Sequence, residues 1–432
     1  MRQTSPIAAP SAALLRALLR GALLSAALGS SPAIGDWPQW LGPGRDGISR
    51  EERRGEFLPE PRLLWRTSVG LGPSSPVVSG GRLYAMGHAK GEKKNRGTDT
   101  VYCLDAASGA EIWRHSYDCQ SCESQDVRFD GPRATPTADG GAVFALSLEG
   151  HLFAFDAASG RILWARHLLR DLGGRLPLYG YCSSPLVHAG KVILEVNAPE
   201  AAYVALDRSS GAVVWKARDG QVTSGSPVLM RLEGRDLAVF AGGGAIVALD
   251  AEDGREVWRH GTWGHAWMGP VVSGNRVFMA NASLPRGCGV LAIEGSKPRV
   301  LWEDRGKKFQ TLHSNSVVWR GHIYGFDNTG TDYQKTDSKK SALKCLVLDT
   351  GEVRWEAPRM GWGNLIVFDE KLVIFREGGE LVVADATPEA YRERLRAALL
   401  GGKSWSVPAL SEGRIWVRNN EGALACYQIL SD

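Results

Sequence analysis

The sequence predicts an all-β fold, an eight-bladed β-propeller built from four-stranded antiparallel blades. One pattern, an Asp followed by Gly four residues later and by Trp after four more, occurs four times, first in LDAASGAEIW at 104–113. Tryptophans continue at a similar spacing along the chain, at positions 65, 113, 164, 215, 258, 302, 355 and 405. Repeats of roughly 40–50 residues are typical of propellers and solenoids. Eight such tryptophans therefore indicate eight blades.

Each repeat contains four short β-rich segments, which we name strands A to D. Strand A is a segment with Ser or Pro and branched residues, such as SSPVVS at 74–79, and strand B is an alternating segment such as LYAMG at 83–87. The repeated pattern then covers strands C and D and the turn between them. Short β-rich segments separated by Gly, Asn, Asp and Ser clusters are typical of antiparallel strands joined by tight turns.

The four complete copies of the pattern predict a hairpin turn and a packing contact. Asp can cap the turn, and Gly allows a positive φ there. Trp buries a large ring, so we assign the tryptophans to packing between neighbouring blades rather than to ligand binding. The residues of these copies are Asp105, Gly109, Trp113, Asp156, Gly160, Trp164, Asp207, Gly211, Trp215, Asp250, Gly254 and Trp258.

The two ends of the chain are expected to close the ring. The segment after Trp405 holds three strands, and LLWRTSV at 63–69 precedes all other repeats. We therefore expect this N-terminal strand to complete the last blade, because closure removes exposed sheet edges. In the seventh blade, PEAYRERLRAALL at 388–400 has a helical spacing and predicts a short inserted helix.

Residues 1–62 are expected to lie outside the ring. Residues 1–33 have arginines before a short apolar segment at 21–28 and then small residues, which is typical of a signal peptide cleaved near Ala33. The apolar segment is too short to span a membrane, so we expect a periplasmic or secreted protein; the alternative is a disordered tail. Residues 34–62 predict a strap that packs Trp37 and Trp40 on the ring, with glycan or partner binding as the alternative.

The composition fits one large β domain and gives no support to nucleic-acid binding. The chain has 432 residues with 52 glycines and a net charge of +4. Three of the basic residues lie within 1–33, which leaves 48 basic against 47 acidic residues in the remainder. A nearly neutral protein lacks the basic surface that nucleic acid requires. We expect a monomer without a transmembrane segment.

These features together resemble the PQQ-like β-propeller repeat family. The Asp-x3-Gly-x3-Trp hairpins, the SSPVV-type A strands and the opening WPQWLGPGRDGIS carry the resemblance, which covers about residues 36–432. Later blades such as HSNSVVWRGHIYGFDN at 313–328 resemble exported bacterial members. The family includes quinoprotein alcohol dehydrogenases and the propeller subunit of the outer-membrane β-barrel assembly machine. The resemblance is specific for the fold and weak for the function.

The residues that the resemblance implies for quinone catalysis are not matched here. Dehydrogenases of the family have adjacent cysteines over the cofactor, a calcium ion held by Glu and Asn, and an Asp base. This chain has no adjacent cysteines. Glu195 with Asn197, at the end of a B strand, weakly resembles the calcium ligands, and Asp327 with Asn328 lies at the equivalent point two or three blades on. We therefore predict no catalytic residue, no metal and no cofactor. The predicted function is an exported non-catalytic binding or scaffold protein for a protein partner or a small ligand. The alternative is a PQQ-dependent alcohol or sugar dehydrogenase that uses calcium in the axial funnel.

The cysteines offer one further candidate. Cys119 and Cys122, placed in a D–A loop, could form a small loop disulfide or remain two thiols. A zinc site would need two more ligands, and His115 is the one nearby in sequence. Cys103, Cys345 and Cys426 fall on C strands and are expected to be buried, inert thiols.

Residues just before the A strands are expected to crowd the axis on one face. Aromatic and polar side chains mixed there would line a pocket; the alternative is that they only plug the channel. The long loops at 88–99 and 327–340, between strands B and C, would share this face with the D–A loops and form either a partner-docking rim or a solvated surface. The candidate ligand-binding residues are Arg133, Tyr181, His265, Trp267, His313, Asn315, Trp362 and Asn364.

Overall fold

The computed structural model describes Met1 and residues 35–93, 96–120, 131–218, 224–265, 267–281, 287–306, 308–328 and 341–431, without the side chains of 264 and 265. These residues form eight four-stranded antiparallel sheets, so the predicted eight-bladed propeller is confirmed. The chain divides into two compact units, Met1–Ser31 and Pro32–Asp432, and all eight sheets belong to the second.

The first four blades follow each other along the chain, with strands in the order A to D. They are β2 (Val77–Ser79), β3 (Arg82–Lys90), β4 (Arg96–Asp105) and β5 (Glu111–Gln120); β6 (Thr137–Asp139), β7 (Ala142–Leu146), β8 (His151–Asp156) and β9 (Ile162–His167); β10 (Leu186–His188), β11 (Lys191–Ala198), β12 (Ala201–Asp207) and β13 (Val213–Ala217); and β14 (Val228–Leu232), β15 (Arg235–Ala241), β16 (Gly243–Asp250) and β17 (Glu256–His265).

The other four blades continue the same order, and the last takes its outer strand from the start of the chain. They are β18 (Val271–Ser273), β19 (Arg276–Asn281), β20 (Gly287–Glu294) and β21 (Lys297–Asp304); β22 (Val317–Trp319), β23 (His322–Asp327), β24 (Ala342–Val347) and β25 (Val353–Pro358); β26 (Gly363–Phe368), β27 (Lys371–Arg376), β28 (Glu380–Asp385) and β29 (Glu393–Ala398); and β30 (Ala409–Ser411), β31 (Arg414–Arg418), β32 (Ala423–Leu430) and β1 (Phe57–Ser68).

The A strands form the inner ring, and the core lies between the sheets. Strand β2 contacts β6 on one side and β30 on the other, so A strands of successive blades meet at the axis. Strands B and C are almost fully buried, as in β7 and β8. Their apolar side chains form clusters between blades, such as the cluster around Trp113 and Phe155, which joins the first blade to the second. Each blade therefore covers the faces of its neighbours.

Strand β1 closes the ring. It pairs antiparallel with β32, and Trp65 lies opposite Cys426. The strand begins at Phe57, so the end of the predicted strap is part of the last blade. Among the described residues, α1 (Leu168–Leu172) is the one α-helix, and no helix is long and apolar enough to cross a membrane.

The indoles of Trp113, Trp164 and Trp215 lie against the turn of the next blade, whereas the buried indole N–H of Trp258 has no hydrogen-bond partner among the described residues. The Trp113 indole N–H donates to the carbonyl of Ala157 at 3.1 Å. A Cβ atom on Gly160, which has φ +72°, would lie 2.6 Å from the Trp113 ring. The same contact joins Trp65 to Gly109, Trp164 to Gly211, Trp215 to Gly254 and Trp302 to Gly351. Glycine is therefore required both by the backbone conformation and by the ring that covers it.

The Asp of the pattern shapes the turn that carries this glycine. Asp105 Oδ1 accepts hydrogen bonds from the Ser108 backbone N–H at 2.8 Å and from its hydroxyl at 2.7 Å. These bonds lower the pKa of Asp105, so its carboxylate remains ionised and holds the turn.

Two expectations for the seventh blade are wrong. The predicted helix at 388–400 is replaced by β29, because pairing with β28 outweighs the helix-like spacing of its Leu and Ala residues. Leu395, opposite Val383 and next to the strand irregularity, occupies the place that Trp has in the other blades. Trp405 follows this blade in a loop, so it does not belong to the packing series.

The long loop predicted at 88–99 is shorter than expected. Its two sides extend β3 and β4, which pair as far as Lys90 and Gly97. The second predicted loop lies mostly outside the described residues, since 329–340 are not among them.

The contact between indole and glycine can be tested with a matched pair of substitutions. Gly160→Ala and Gly141→Ala both place a side chain at positive φ (+72° and +79°), but nothing lies within 4 Å of a Cβ atom on Gly141. We expect Gly160→Ala to lower the free energy of unfolding by about 1–3 kcal/mol more than Gly141→Ala, because only the former collides with Trp113. Urea unfolding of both variants measures this. Equal losses would show that the indole does not constrain the turn.

Candidate axial binding pocket

Hydroxyl side chains link the starts of successive A strands around the axis. The backbone N–H of Val407 donates to Ser75 Oγ at 2.9 Å, and that of Ser75 donates to Thr135 Oγ1 at 3.3 Å. The N–H groups of Thr135 and Ser184 donate to the Oγ atoms of Ser184 and Ser226, both at 2.9 Å. We call Ser75, Thr135, Ser184 and Ser226 the hydroxyl belt. It explains the Ser or Thr that precedes Pro in the A-strand segments.

Two asparagines continue these links through the sixth, seventh and eighth blades. Asn364 Oδ1 accepts from the Asn315 backbone N–H at 3.0 Å, and Asn315 Nδ2 donates to the carbonyl of Leu365 at 2.8 Å. Asn364 Nδ2 donates to the carbonyl of Trp405 at 2.8 Å. Buried backbone groups at the axis are thus satisfied by side chains of the neighbouring blade.

A cavity of about 130 Å³ lies within the hydroxyl belt. Its described lining combines hydroxyls, indoles and one guanidinium. The lining residues are Trp40, Pro73, Ser75, Arg133, Thr135, Cys182, Ser184, Ser224, Ser226, Trp267, Met268, Gly269, His313, Asn364, Trp405 and Val407. We call this cavity the axial pocket.

Tryptophan rings surround His313 at the pocket wall. Its ring centroid lies 4.5 Å from that of Trp405 at an interplanar angle of 21°, 5.5 Å from Trp362 and 6.1 Å from Trp267. Burial lowers the pKa of His313 to about 3, with smaller contributions from the charges of Arg133 and Lys403. The imidazole is therefore neutral at physiological pH, and Arg133 is the charged group among the described lining residues.

The N-terminal strap closes the channel beneath the axial pocket. Trp37 pairs with Val78, and Ile48 pairs with Val367, so the strap lies at the ends of the A strands that lead into the A–B turns. Between these points, Trp40 contributes to the pocket lining.

Arg45 of the strap inserts into the channel and is 3% exposed. Its guanidinium donates to the carbonyls of Pro227 at 2.8 Å, Pro185 at 2.9 Å and Ser184 at 3.0 Å. Burial lowers the pKa of Arg45 to about 9, which still leaves it charged at neutral pH. Carbonyl acceptors on two blades offset part of the cost of burying this charge.

Four of the eight candidate ligand-binding residues line the axial pocket, namely Arg133, Trp267, His313 and Asn364. Three others lie behind its wall. The ring of Tyr181 packs in the core between the second and third blades, and its hydroxyl donates to the carbonyl of Val196 at 2.7 Å. Asn315 bonds to the seventh blade, and Trp362 is 2% exposed behind His313. The side chain of His265 lies outside the described residues.

Sequence reasoning missed the hydroxyl belt, Trp40 and Trp405 as pocket residues. A signal existed for the belt, since Ser or Thr before the A-strand Pro recurs in several repeats. Trp405 also lacks the preceding Asp and Gly of the repeated pattern, which separates it from the packing tryptophans. The position of Trp40 in the pocket could not be predicted from the sequence, because the path of the strap depends on contacts with residues that are distant in sequence.

The residues that weakly resemble calcium ligands in the sequence do not line the axial pocket. Glu195 is 1% exposed on β11, and its charge adds to the effect of burial in raising the pKa of Tyr181 and Tyr203. Asn197 Nδ2 donates to the carbonyl of Arg175 at 2.9 Å. Asp327 pairs with Lys344 at 2.8 Å. No Asp or Glu is among the described residues that line the pocket.

The cysteines on C strands are buried as expected. Burial raises the pKa of Cys103, Cys345 and Cys426 to about 12 in each case. Cys119 lies at the end of β5 rather than in a loop, and it is buried. Its predicted disulfide partner, Cys122, lies outside the described residues.

The fold and the repeated pattern define a propeller built from PQQ-like repeats. The chain belongs to the family described as outer membrane protein assembly factor BamB, whose profile matches residues 59–216 and 199–359.

Relatives of two kinds are similar to this chain. Quinoprotein alcohol dehydrogenase PedH from Pseudomonas putida is 24% identical over 296 residues, which are 60% of this chain and 44% of the relative. Outer membrane protein assembly factor BamB from Burkholderia pseudomallei is 25% identical over 207 residues, 45% of this chain and 47% of the relative. The matches thus span less than half of either relative.

A solved structure supports the fold. The crystal structure of BamB from Moraxella catarrhalis aligns with a TM-score of 0.59 at 15% identity, covering 85% of this chain and 100% of that one. At this identity the likeness shows the fold alone.

The hydroxyl belt can be tested by removing one acceptor. Ser184 is 2% exposed, and Ser184→Ala leaves the buried N–H of Thr135 without its acceptor. We expect the free energy of unfolding to fall by about 1–3 kcal/mol. The control Ser209→Ala removes an exposed turn hydroxyl and should change it by less than about 0.5 kcal/mol. Equal effects in chemical denaturation would contradict a structural role for the belt.

Proposed function

We propose that this chain is an exported, non-catalytic binding protein whose axial pocket takes a small planar anion. One observation carries the proposal: Arg133 and the indoles of Trp267 and Trp405 meet in a cavity whose described lining contains no carboxylate. The arginines and apolar segment at the start of the chain support export.

The charge of the described lining favours an anion. Arg133 contributes one positive charge, and His313 stays neutral because burial lowers its pKa. A guanidinium can bind a carboxylate through two parallel hydrogen bonds, and these bonds strengthen away from bulk water. A cationic ligand would meet the positive charge of Arg133.

The aromatic wall favours a flat ligand. Trp405 and His313 lie nearly parallel, and Trp267 lies on another side of His313. Indole faces stack on planar groups, while the hydroxyl belt supplies polar atoms that can orient a ligand.

The same lining does not fit a calcium–quinone centre. Calcium takes about six to eight oxygen ligands, usually including carboxylates, and the described lining offers hydroxyls and one amide instead. Glu195 does not line the pocket. Asn197 donates to the carbonyl of Arg175, and Asp327 pairs with Lys344. These observations support a binding protein over a dehydrogenase.

The ligand class can be tested by titrating the protein with benzoate and its neutral amide, benzamide, while following tryptophan fluorescence. We expect benzoate to bind more tightly, and Arg133→Gln to weaken its binding about tenfold, because a charge-assisted contact is lost. The control Arg114→Gln removes an exposed arginine of β5 and should leave the affinity unchanged.

Two outcomes would contradict the proposal. Equal binding of the acid and the amide would show that charge is not recognised, and an unchanged affinity in Arg133→Gln would place the site elsewhere. Dye-linked oxidation of alcohols by the protein after addition of PQQ and calcium would establish the dehydrogenase instead.

We further propose that the face around the pocket mouth binds a protein partner. Its support is membership in a family described by an outer-membrane assembly factor, together with the β3–β4 hairpin, whose exposed tip carries Lys90, Glu92 and Lys93. B–C and D–A connections share this face, whereas C–D turns lie on the other.

A photo-crosslinking amino acid can test the partner face in cells. Placed at Lys93, it should give a discrete crosslinked product; placed at Ser209, in an exposed C–D turn, it should not. Identical products from both positions, or none from Lys93, would contradict docking at this face.

A further inference from the structure

A second group of chemically reactive side chains lies between the first and second blades, apart from the axial pocket. Cys119 ends β5, Glu149 lies in the turn between β7 and β8, and His151 begins β8. One ligand atom from each, the thiol sulfur, a carboxylate oxygen and an imidazole nitrogen, lie within 4.8 Å of one another. Thiol, carboxylate and imidazole groups are all common metal ligands in proteins, and here two blades bring one of each together.

The backbone holds this group in place. The Gln120 backbone N–H donates to Glu149 Oε2 at 2.8 Å, which ties the turn of the second blade to the end of β5. Within the turn, Ser147 Oγ accepts the backbone N–H groups of Gly150 at 3.1 Å and His151 at 2.9 Å. Ser147 Oγ also lies 3.2 Å from His151 Nδ1. Glu149 Oε1 and His151 Nε2 take no part in these bonds.

Two further buried polar side chains lie next to this group. His167 is 6% exposed, and its ring packs edge-on against His151 with centroids 4.4 Å apart. Its Nδ1 atom is buried and has no hydrogen-bond partner among the described residues. Asp99 is 1% exposed and pairs with His88 Nδ1 at 2.7 Å, while its second carboxylate oxygen has no hydrogen-bond partner among the described residues.

We propose that Cys119, Glu149 and His151 bind a zinc ion that ties the first blade to the second. Thiolate, imidazole and carboxylate are the three ligand types that zinc takes in proteins. In a tetrahedral site with bonds of about 2.0–2.3 Å, neighbouring ligand atoms lie roughly 3.2–3.8 Å apart. Since the three atoms lie within 4.8 Å of one another, each pair has to approach by at most about 1–1.6 Å to reach this geometry. The site goes beyond the binding function of the axial pocket and does not depend on it.

The test uses the full chain, freed of any affinity tag, in a phosphine reductant. Zinc titration by calorimetry should give one site per chain, and zinc should raise the thermal midpoint. Cys119→Ser, Glu149→Gln and His151→Gln should each weaken zinc binding at least tenfold. The control Cys103→Ser removes another buried thiol of the same blade and should bind as the parent does. Glu149→Gln keeps an oxygen for the Gln120 N–H, so it preserves the backbone contact.

The absorption spectrum of bound cobalt(II) reports thiolate ligation directly, independently of any change in the stability of the protein. Cobalt(II) bound to a thiolate shows a near-ultraviolet charge-transfer band. This band should appear in the parent and in Cys103→Ser, and it should be absent from Cys119→Ser. Failure of the parent to bind zinc, or zinc binding that survives all three substitutions, would overturn the proposal. A cobalt band that persists in Cys119→Ser would overturn it as well.

Discussion

The contact between the indole of one blade and the turn glycine of the next sets the geometry of the ring. Trp113 lies over Gly160 and bonds to Ala157, and Trp65 makes the equivalent contacts with Gly109 and Ala106. Since glycine is the residue that permits both the positive φ and the close ring, each such contact fixes how one sheet meets the next. Trp65 lies on β1, which pairs with β32 in the last blade, so its contact joins the last blade to the first.

A ring of this kind leaves a channel at its centre, and the chain fills it in two ways. From one side the strap inserts Arg45, whose guanidinium bonds to carbonyls of the third and fourth blades. From the other side the hydroxyl belt ties the A strands together and leaves a cavity lined by indoles and Arg133. The pocket is thus a product of ring closure, because its wall takes one to three residues from each of several blades. No local segment could form it alone.

Most of the fold could be predicted from the sequence, because the repeated pattern indicates the same C–D hairpin in blade after blade. The prediction failed in the seventh blade. There Leu395 occupies the position of the tryptophan, and strand pairing with β28 outweighs the helix-like spacing at 388–400. The pocket was predicted in part. Arg133 and His313 follow from their place before A strands, whereas Arg45 and Trp40 depend on how the strap crosses the ring. The group at Cys119, Glu149 and His151 could not be predicted, since their proximity follows from the packing of two blades.

Hydrogen exchange of the native protein tests ring closure most directly. If β1 is the outer strand of the last blade, the backbone amides of Leu63–Ser68 that pair with β32 exchange as slowly as those of β13, the outer strand of the third blade. Exchange of the β1 amides at the rate of exposed loops, with β13 still protected, would show that the N-terminal segment is not part of the ring.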